Sequence, residues 1–340
     1  MNKKSKLKLT LIILAIIFII IILFILFGGR SVDIENKKDK PVNKEEISPI
    51  TGLECENYSK RPIAVMLATD PETRPLSGIS QADLVVEMAV ITNSITRIMA
   101  VYNCEELDEI GSVRSARHDY IPIAMGLDAI FAHWGGSHFA LDLLDNEIMD
   151  NIDAMKNPFQ AYWQDWSKSM PHNGFTSYSR LSNAAEKLGY RLTNKFGGYP
   201  HEKGSSKVDS GKLTVGFGNK YRVYYNYDGE SNSYRRWRGG EREMDKNNNH
   251  QVEVSVVVVM RASSRMIQEP DYNDVDVEGE GIVSVFQNGE EIQGIWSKSG
   301  TYSNSKLKFT SNGKEIKFTP GKIWIEIVEP YQDVIWETYD

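Results

Sequence analysis

The chain has 340 residues and a formal net charge of −7, and all the charged residues before position 31 are basic: Lys3, Lys4, Lys6, Lys8 and Arg30. The rest of the chain therefore carries −12, which excludes duplex nucleic acid as a partner, because that needs a basic face. The two cysteines, Cys55 and Cys104, occur without a CxxC, which excludes a cysteine-built metal module and leaves both a disulfide and two free thiols open.

Leu9 to Phe27 has Thr10 as its one polar side chain, enough apolar length to cross a bilayer as a helix. The lysines ahead of it predict a single-pass anchor with residues 9–29 in contact with the membrane, the N-terminus cytoplasmic and the folded part extracellular. The alternative is a cleaved signal peptide, but "LFGGRSV" offers no small-x-small cleavage site. No cysteine follows the apolar run to take a lipid. Residues 31–48, "SVDIENKKDKPVNKEEIS", are charged and almost free of large apolar side chains, and read as a flexible tether. Residues 1–30 are then the basic tip and anchor, and about 290 residues remain from Pro49, more than one small core usually holds.

The runs "RPIAVMLA", "ADLVVEMAV" and "ITRIMAVYN" are apolar or β-branched and are separated by Pro, Gly, Asn and Asp, so they predict strands. "SARHDYIPIAMGL" predicts a helix with Pro122 in its first turn, and "DAIFAHW" a further strand. Ser137 is placed to cap a helix whose apolar stripe is Phe139, Leu143, Ile148 and Ile152, and "SYSRLSNAAEKLG" predicts another helix ended by Gly189. This alternation predicts an α/β or α+β N-terminal domain over residues 49–200. Beyond "GGYPHEKGSSKVDSGK" the pattern turns to strand after strand, with hairpin turns at "QNGEE" and "TSNGKE", and predicts a smaller β-rich domain over residues 212–330.

Polar chemistry concentrates in the first of these domains. His118, His133, His138 and His172 lie there with Arg97, Arg114 and Arg117. Arg114 and Arg117 are three residues apart and can face one way, with Ser115 as a possible cap, and two guanidinium forks suit a phosphate or carboxylate. The plainer alternative is pairing with acids on the surface. "HWGGSH" places Gly135, Gly136 and Ser137 where a strand gives way to a helix, so free backbone N–H groups there suit an anion; an ordinary capped turn is the alternative. "SMPHNGFTS" adds His172 and Asn173 in a loop. His133, His172, Ser137 and Ser115 are the candidates for nucleophilic or acid–base catalysis, without a signature that fixes their geometry. Without HExxH or a cysteine ligand, no metal and no cofactor is expected. In the second domain, the aromatic residues of "RVYYNYDGESNSYRRWRGG" suit either packing or a glycan surface.

The blocks "ISPITGLECENYSKRPIAVMLATDPETRPLSGISQADLVVEMAVITNSITRIMAVY", "IGSVRSARHDYIPIA", "DAIFAHWGGS" and "MPHNGFTS" resemble successive segments of the YerB-type lipoproteins, a bacterial envelope family of uncharacterised function. "YRVYYNYDGESNSYRRW", "GEGIVSVFQNGEEIQGIW" and "FTPGKIWIEIV" resemble that family's C-terminal domain. The resemblance implies a two-domain extracytoplasmic protein and brings no established reaction. Positions that match the family pattern are Arg74, Ser77, Asp83, Glu87, Thr96, Arg97, Arg114, Ser115, Arg117, His133, Gly135, Gly136, Ser137, Pro171, His172 and Asn173. The chain departs from it in having a membrane helix where a lipobox is frequent, and His118 where proline is common. A looser likeness, of the "SVRSARHD" segment and the following "GG", is to LytR-type enzymes that transfer glycopolymers from lipid pyrophosphates to the wall. The expectation is a membrane-anchored envelope protein that binds an anionic wall precursor or glycopolymer through Arg97, Arg114, Arg117, His133, Gly135, Gly136, Ser137, His172 and Asn173. A glycopolymer transferase or hydrolase, and a scaffold for other envelope proteins, are the alternatives.

Overall fold

The computed structural model describes residues 46–91, 94–269 and 272–339. The predicted anchor at residues 9–29 lies outside the described residues, as does the tether up to residue 45. No helix among the described residues is long and apolar enough to cross a membrane.

The molecule is mostly sheet. The eleven strands of its largest sheet, four of the six strands of a second sheet and one outlying hairpin are numbered in chain order. The first segment holds β1 (Ile63–Leu67), β2 (Leu84–Ala89), β3 (Thr96–Tyr102), β4 (Ile130–His133) and β5 (Asn151–Asp153). Next come β6 (Ser210–Val215), β7 (Val223–Asp228), β8 (Ser233–Arg238) and β9 (Val256–Arg261). The outlying hairpin is β10 (Ser264–Gln268) and β11 (Tyr272–Val275). The remainder are β12 (Gly279–Gln287), β13 (Glu290–Lys298), β14 (Lys308–Ser311), β15 (Lys314–Glu315), β16 (Ile323–Val328) and β17 (Val334–Tyr339). The helices are α1 (Tyr120–Gly126), α2 (His138–Asp145) and α3 (Tyr178–Lys187).

Eleven strands form one sheet in the order β15-β14-β13-β12-β9-β16-β2-β3-β1-β4-β5. The two halves of the chain meet inside it, because β16 pairs in parallel with β9 on one side and with β2 on the other. β1, β2 and β3 are buried along their whole length, as their unbroken apolar runs require of strands covered on both faces. Alternate side chains divide the core. Ala64, Met66, Val86 and Met99 pack with Tyr120, Ile121 and Ala124 of α1, while Val65, Leu67, Val85 and Ile98 pack on Leu213, Val215 and Tyr225 of a second sheet. That sheet contains β6, β7, β8 and β17, and β6 and β7 alternate buried and half-buried residues, as strands with one covered face do.

A buried ionic network fastens the two sheets. Arg236 and Arg238 of β8 reach Glu87 of β2 at 2.6 and 2.5 Å, and Arg236 also reaches Glu326 of β16 at 3.0 Å. Tyr225 of β7 donates to Glu326, Thr96 of β3 donates to Glu87, and Arg236 lies 4.0 Å over the Trp324 ring.

The hairpin signals hold. Asn288–Gly289 and Asn312–Gly313 all have positive φ and join β12 to β13 and β14 to β15, as primed two-residue turns do. α3 ends before Gly189, whose φ is +77°. The helix after Ser137 is shorter than its apolar stripe predicts: α2 stops at Asp145, Glu147 turns the chain with φ +57°, and Ile152 belongs to β5. Its buried residues are Ala140 and Leu144, not Phe139 and Leu143. A run that passes from helix to strand through a short turn can keep a 3.6-residue apolar spacing by accident. The aromatic segment of β7 and β8 divides its roles: Tyr225, Tyr227 and Tyr234 are core, while Tyr224 and Trp237 stack at 5.3 Å on the outer face. The two cysteines join as a Cys55–Cys104 disulfide with Cα atoms 5.3 Å apart, tying the stretch before β1 to the end of β3.

Candidate functional site

β1 and β2 both run antiparallel to β3, and β4 and β5 run parallel to β1, so these four strands share one direction. Ligands of open parallel sheets bind beyond the carboxyl ends of such strands. Arg97 lies at that end because it is the second residue of the oppositely directed β3, with Met88 as its register partner. Asp70 lies there because it follows β1.

Arg114 and Arg117 reach the same edge on the loop before α1. Val113 bridges to Leu67, and Arg114 N–H donates to the Met66 carbonyl at 2.9 Å. On the other side the loop is laced to the "HWGGS" turn. Trp134 N–H donates to Arg114 O, Ala116 N–H to Gly135 O, and Ser137 N–H to Ala116 O, at 2.9 to 3.1 Å. Gly135 takes φ +59°, and a Cβ on Gly136 would stand 3.1 Å from Ala116 Cβ. The two glycines thus serve the close approach of two backbones.

The side chains then converge. Asp70 is 3.3 Å from Arg97 and 3.6 Å from Arg114, and it accepts from the Tyr221 hydroxyl at 3.4 Å. Arg114 Nη1 is 2.8 Å from His172 Nδ1. A guanidinium can only donate, so Nδ1 is the acceptor and the His172 proton sits on Nε2, away from Arg114. Arg117 lies 5.9 Å over the Tyr272 ring. Arg97 is 4 % exposed, and both its Nε and that of Arg117 are buried without a hydrogen-bond partner. Two guanidiniums face the Asp70 carboxylate, Arg117 stands within electrostatic reach of Arg97, and two buried donors are unsatisfied.

The electrostatics follow from this crowding. Burial raises the Asp70 pKa, but Arg97 and Arg114 outweigh it and hold the carboxyl below its ordinary 3.8. Burial, reinforced by Arg97, pushes Arg114 down to about 10, and burial with Arg97 also lowers Arg117. His172 falls below 6.5 through burial and then through Arg114. It is therefore a neutral donor near pH 7.

Other residues singled out in the sequence stand apart from this cluster. His133 is fully buried. Its Nδ1 meets Gly135 O at 2.8 Å and its Nε2 meets Asn151 at 3.2 Å, and burial lowers its pKa. Ser137 is 1 % exposed and caps α2 by accepting from Ala140 N–H. Gly135 N–H is taken by Asp153 and Ser137 N–H by Ala116 O, so these two donors of the turn are committed to the fold. Among the described residues no hydrogen bond joins Ser115 or Ser137 to a histidine. Ser115 is half-buried on the arginine loop, and Asn173, 3 % exposed, keeps an unpartnered Nδ2 beside His172 in the chain. Ser77, Asp83, Glu87 and Thr96 are structural: Ser77 bonds Glu109, Asp83 accepts from Asn103 and Cys104 N–H, and Glu87 and Thr96 belong to the ionic network. Arg74 bonds the carbonyls of Thr69 and Lys220.

Asp70, Tyr221 and Tyr272 were not legible as site residues. Asp70 carries a faint local signal as the lone acid just past an apolar strand. Tyr221 and Tyr272 come from the other half of the chain and have none.

Residues 50–191 match the N-terminal domain, and residues 213–325 the C-terminal domain, of the family described as "Protein of unknown function (DUF3048)". The Bacillus subtilis (strain 168) protein named "Putative lipoprotein YerB" is 32% identical over 289 residues, covering 83% of this chain and 86% of that protein. The crystal structure of YerB protein from Bacillus subtilis superimposes with a TM-score of 0.79 at 29% identity, covering 86% of this chain and 99% of that one.

Proposed function

This chain belongs to the DUF3048 family of YerB-like proteins, and from that membership and the arginine cluster we propose that it is an envelope protein that binds an anionic, wall-related ligand outside the membrane. The observation that carries the reading is the convergence of Arg97, Arg114 and His172 around the carboxylate of Asp70, with Arg117 a third guanidinium within electrostatic reach of Arg97, and with the Nε donors of Arg97 and Arg117 buried and unused. A phosphate or carboxylate offers the planar acceptor pair that such donors match. The extracytoplasmic setting is supported by the lipoprotein named as a relative, by the Cys55–Cys104 disulfide, which persists in oxidising compartments, and by the apolar run at Leu9 to Phe27.

Binding is favoured over turnover because, among the described residues, no serine hydroxyl bonds a histidine and His133 is committed to the fold. Arg114→Ala combined with Arg117→Ala should abolish calorimetric binding of a phosphate-bearing wall precursor without lowering the melting temperature. Equal binding by that variant discards the site.

A further inference from the structure

A second polar cluster lies on the far side of Arg117 and belongs to none of these contacts. His118 and Asp119 end the arginine loop, and Asp274 comes from β11, more than 150 residues later. His118 Nε2 lies 3.2 Å from Asp274 Oδ1 and 3.4 Å from Asp119 Oδ1. These three form the one group of His, Cys, Asp or Glu side chains among the described residues whose donor atoms all approach within 4.8 Å of one another.

We infer that His118, Asp119 and Asp274 bind one divalent transition-metal ion, with Zn²⁺ the best fit, and that the ion fastens the β10–β11 hairpin to the arginine loop. Tetrahedral zinc with bonds of about 2.0–2.1 Å places its ligand atoms about 3.3 Å apart, and both imidazole–carboxylate separations match that edge. Without an ion, His118 has at most a single Nε2 proton for two carboxylate oxygens, whereas a central cation engages all three ligand atoms at once. Both carboxylates are also aimed from outside. Arg265 holds Asp274 Oδ2 at 2.8 and 3.1 Å, leaving Oδ1 toward the ring, and Val275 N–H fixes Asp119 through Oδ1 itself at 2.9 Å, leaving that oxygen a further lone pair for an ion. Such outer contacts orient metal ligands in their sites. The imidazole selects zinc or a similar ion over calcium and magnesium, which prefer all-oxygen sets.

The hairpin so fastened carries Tyr272, which lies under Arg117 and packs edge-on against His138 at 5.2 Å and Phe139 at 5.8 Å. Metal binding would therefore fix the wall of the cluster that Arg117 lines. It does not depend on what that cluster binds.

The test is calorimetry of the full chain, stripped with chelator, against ZnCl₂, with Co²⁺ as the spectroscopic stand-in. The expected result is one equivalent of Zn²⁺ bound, a higher melting temperature and intense visible Co²⁺ bands of tetrahedral type. His118→Ala and the isosteric Asp274→Asn should each weaken binding by at least about tenfold, the scale on which support of metal sites is lost. Asp274→Asn sits on a half-exposed hairpin position and keeps the test open if His118→Ala fails to fold. The inference is overturned if no stoichiometric Zn²⁺ binds, if binding survives both substitutions, or if Ca²⁺ or Mg²⁺ binds in preference, which would leave His118 as an imidazole bridging two carboxylates.

Discussion

At the scale of single residues, His172 makes the binding reading measurable. Its acceptor contact with Arg114 and its lowered pKa hold it neutral near pH 7, and the charged groups around it are Arg114, Arg97, Asp70 and Glu72. The unfolded ring titrates at its ordinary 6.5, so below that value the fold resists a proton the unfolded chain accepts. His172 thus contributes stability above pH 6.5 that is lost as pH falls through the lower folded value. A bound anion reverses this preference, because it favours the imidazolium. Sulfate, whose charge is constant over the range, should therefore bind with the same affinity between pH 7 and 8 and more tightly toward pH 5. His172→Asn should flatten the profile. A flat profile in the unsubstituted chain would remove His172 from the site.

At the scale of elements, the "HWGGS" turn and the arginine loop form one backbone unit, through which the turn holds the loop in place. Alanine at Gly135 is forced into the left-handed region and sets its Cβ 3.2 Å from Met155 Cγ, so Gly135→Ala should cost about 1–2 kcal/mol of stability. Gly189 shares a positive φ, +77°, but its Cβ position is open and it lies at the end of α3, away from the loop. Gly189→Ala should therefore cost a similar amount of stability and leave sulfate binding unchanged, whereas Gly135→Ala weakens it. Equal effects on binding would disconnect the turn from the arginines. The same unit shows what the sequence reveals at this scale. Arg97, Arg114, Arg117 and His172 were legible because arginines and histidines concentrate in one part of the first domain. The glycines were legible as a turn, but their partner was not, since nothing local says that residues 134–137 lie against residues 114–116. For that reason a buried His133 and a capping Ser137 read as site residues. Strands β1, β2 and β3 were legible from composition, while their neighbour β16 lies more than 200 residues away and only long-range pairing places it.

At the scale of the whole molecule, the N-terminal and C-terminal family segments share a sheet, and the ionic network decides how firmly they are joined. Glu87 of the first segment faces Arg236 and Arg238 of the second, and every one of these side chains is buried. Burial lifts Glu326 to about 7 even though Arg236 opposes the shift, which shows how costly a carboxylate is at this depth. A buried ion pair adds little over a well-packed apolar pair, but removing one partner strands the other charge. Arg236→Met leaves Arg238 as the only guanidinium for Glu87 and none on Glu326, and should cost about 3–5 kcal/mol. Since β16 runs between β2 and β9, the loss cannot be confined to one half. Far-ultraviolet circular dichroism, which reports the whole sheet, and the near-ultraviolet signal of the packed aromatic side chains, Trp324 under Arg236 among them, should lose their native values in one coincident transition, displaced to lower temperature by the substitution. Two separated transitions would mean that the segments fold as independent bodies and that the network only decorates their contact.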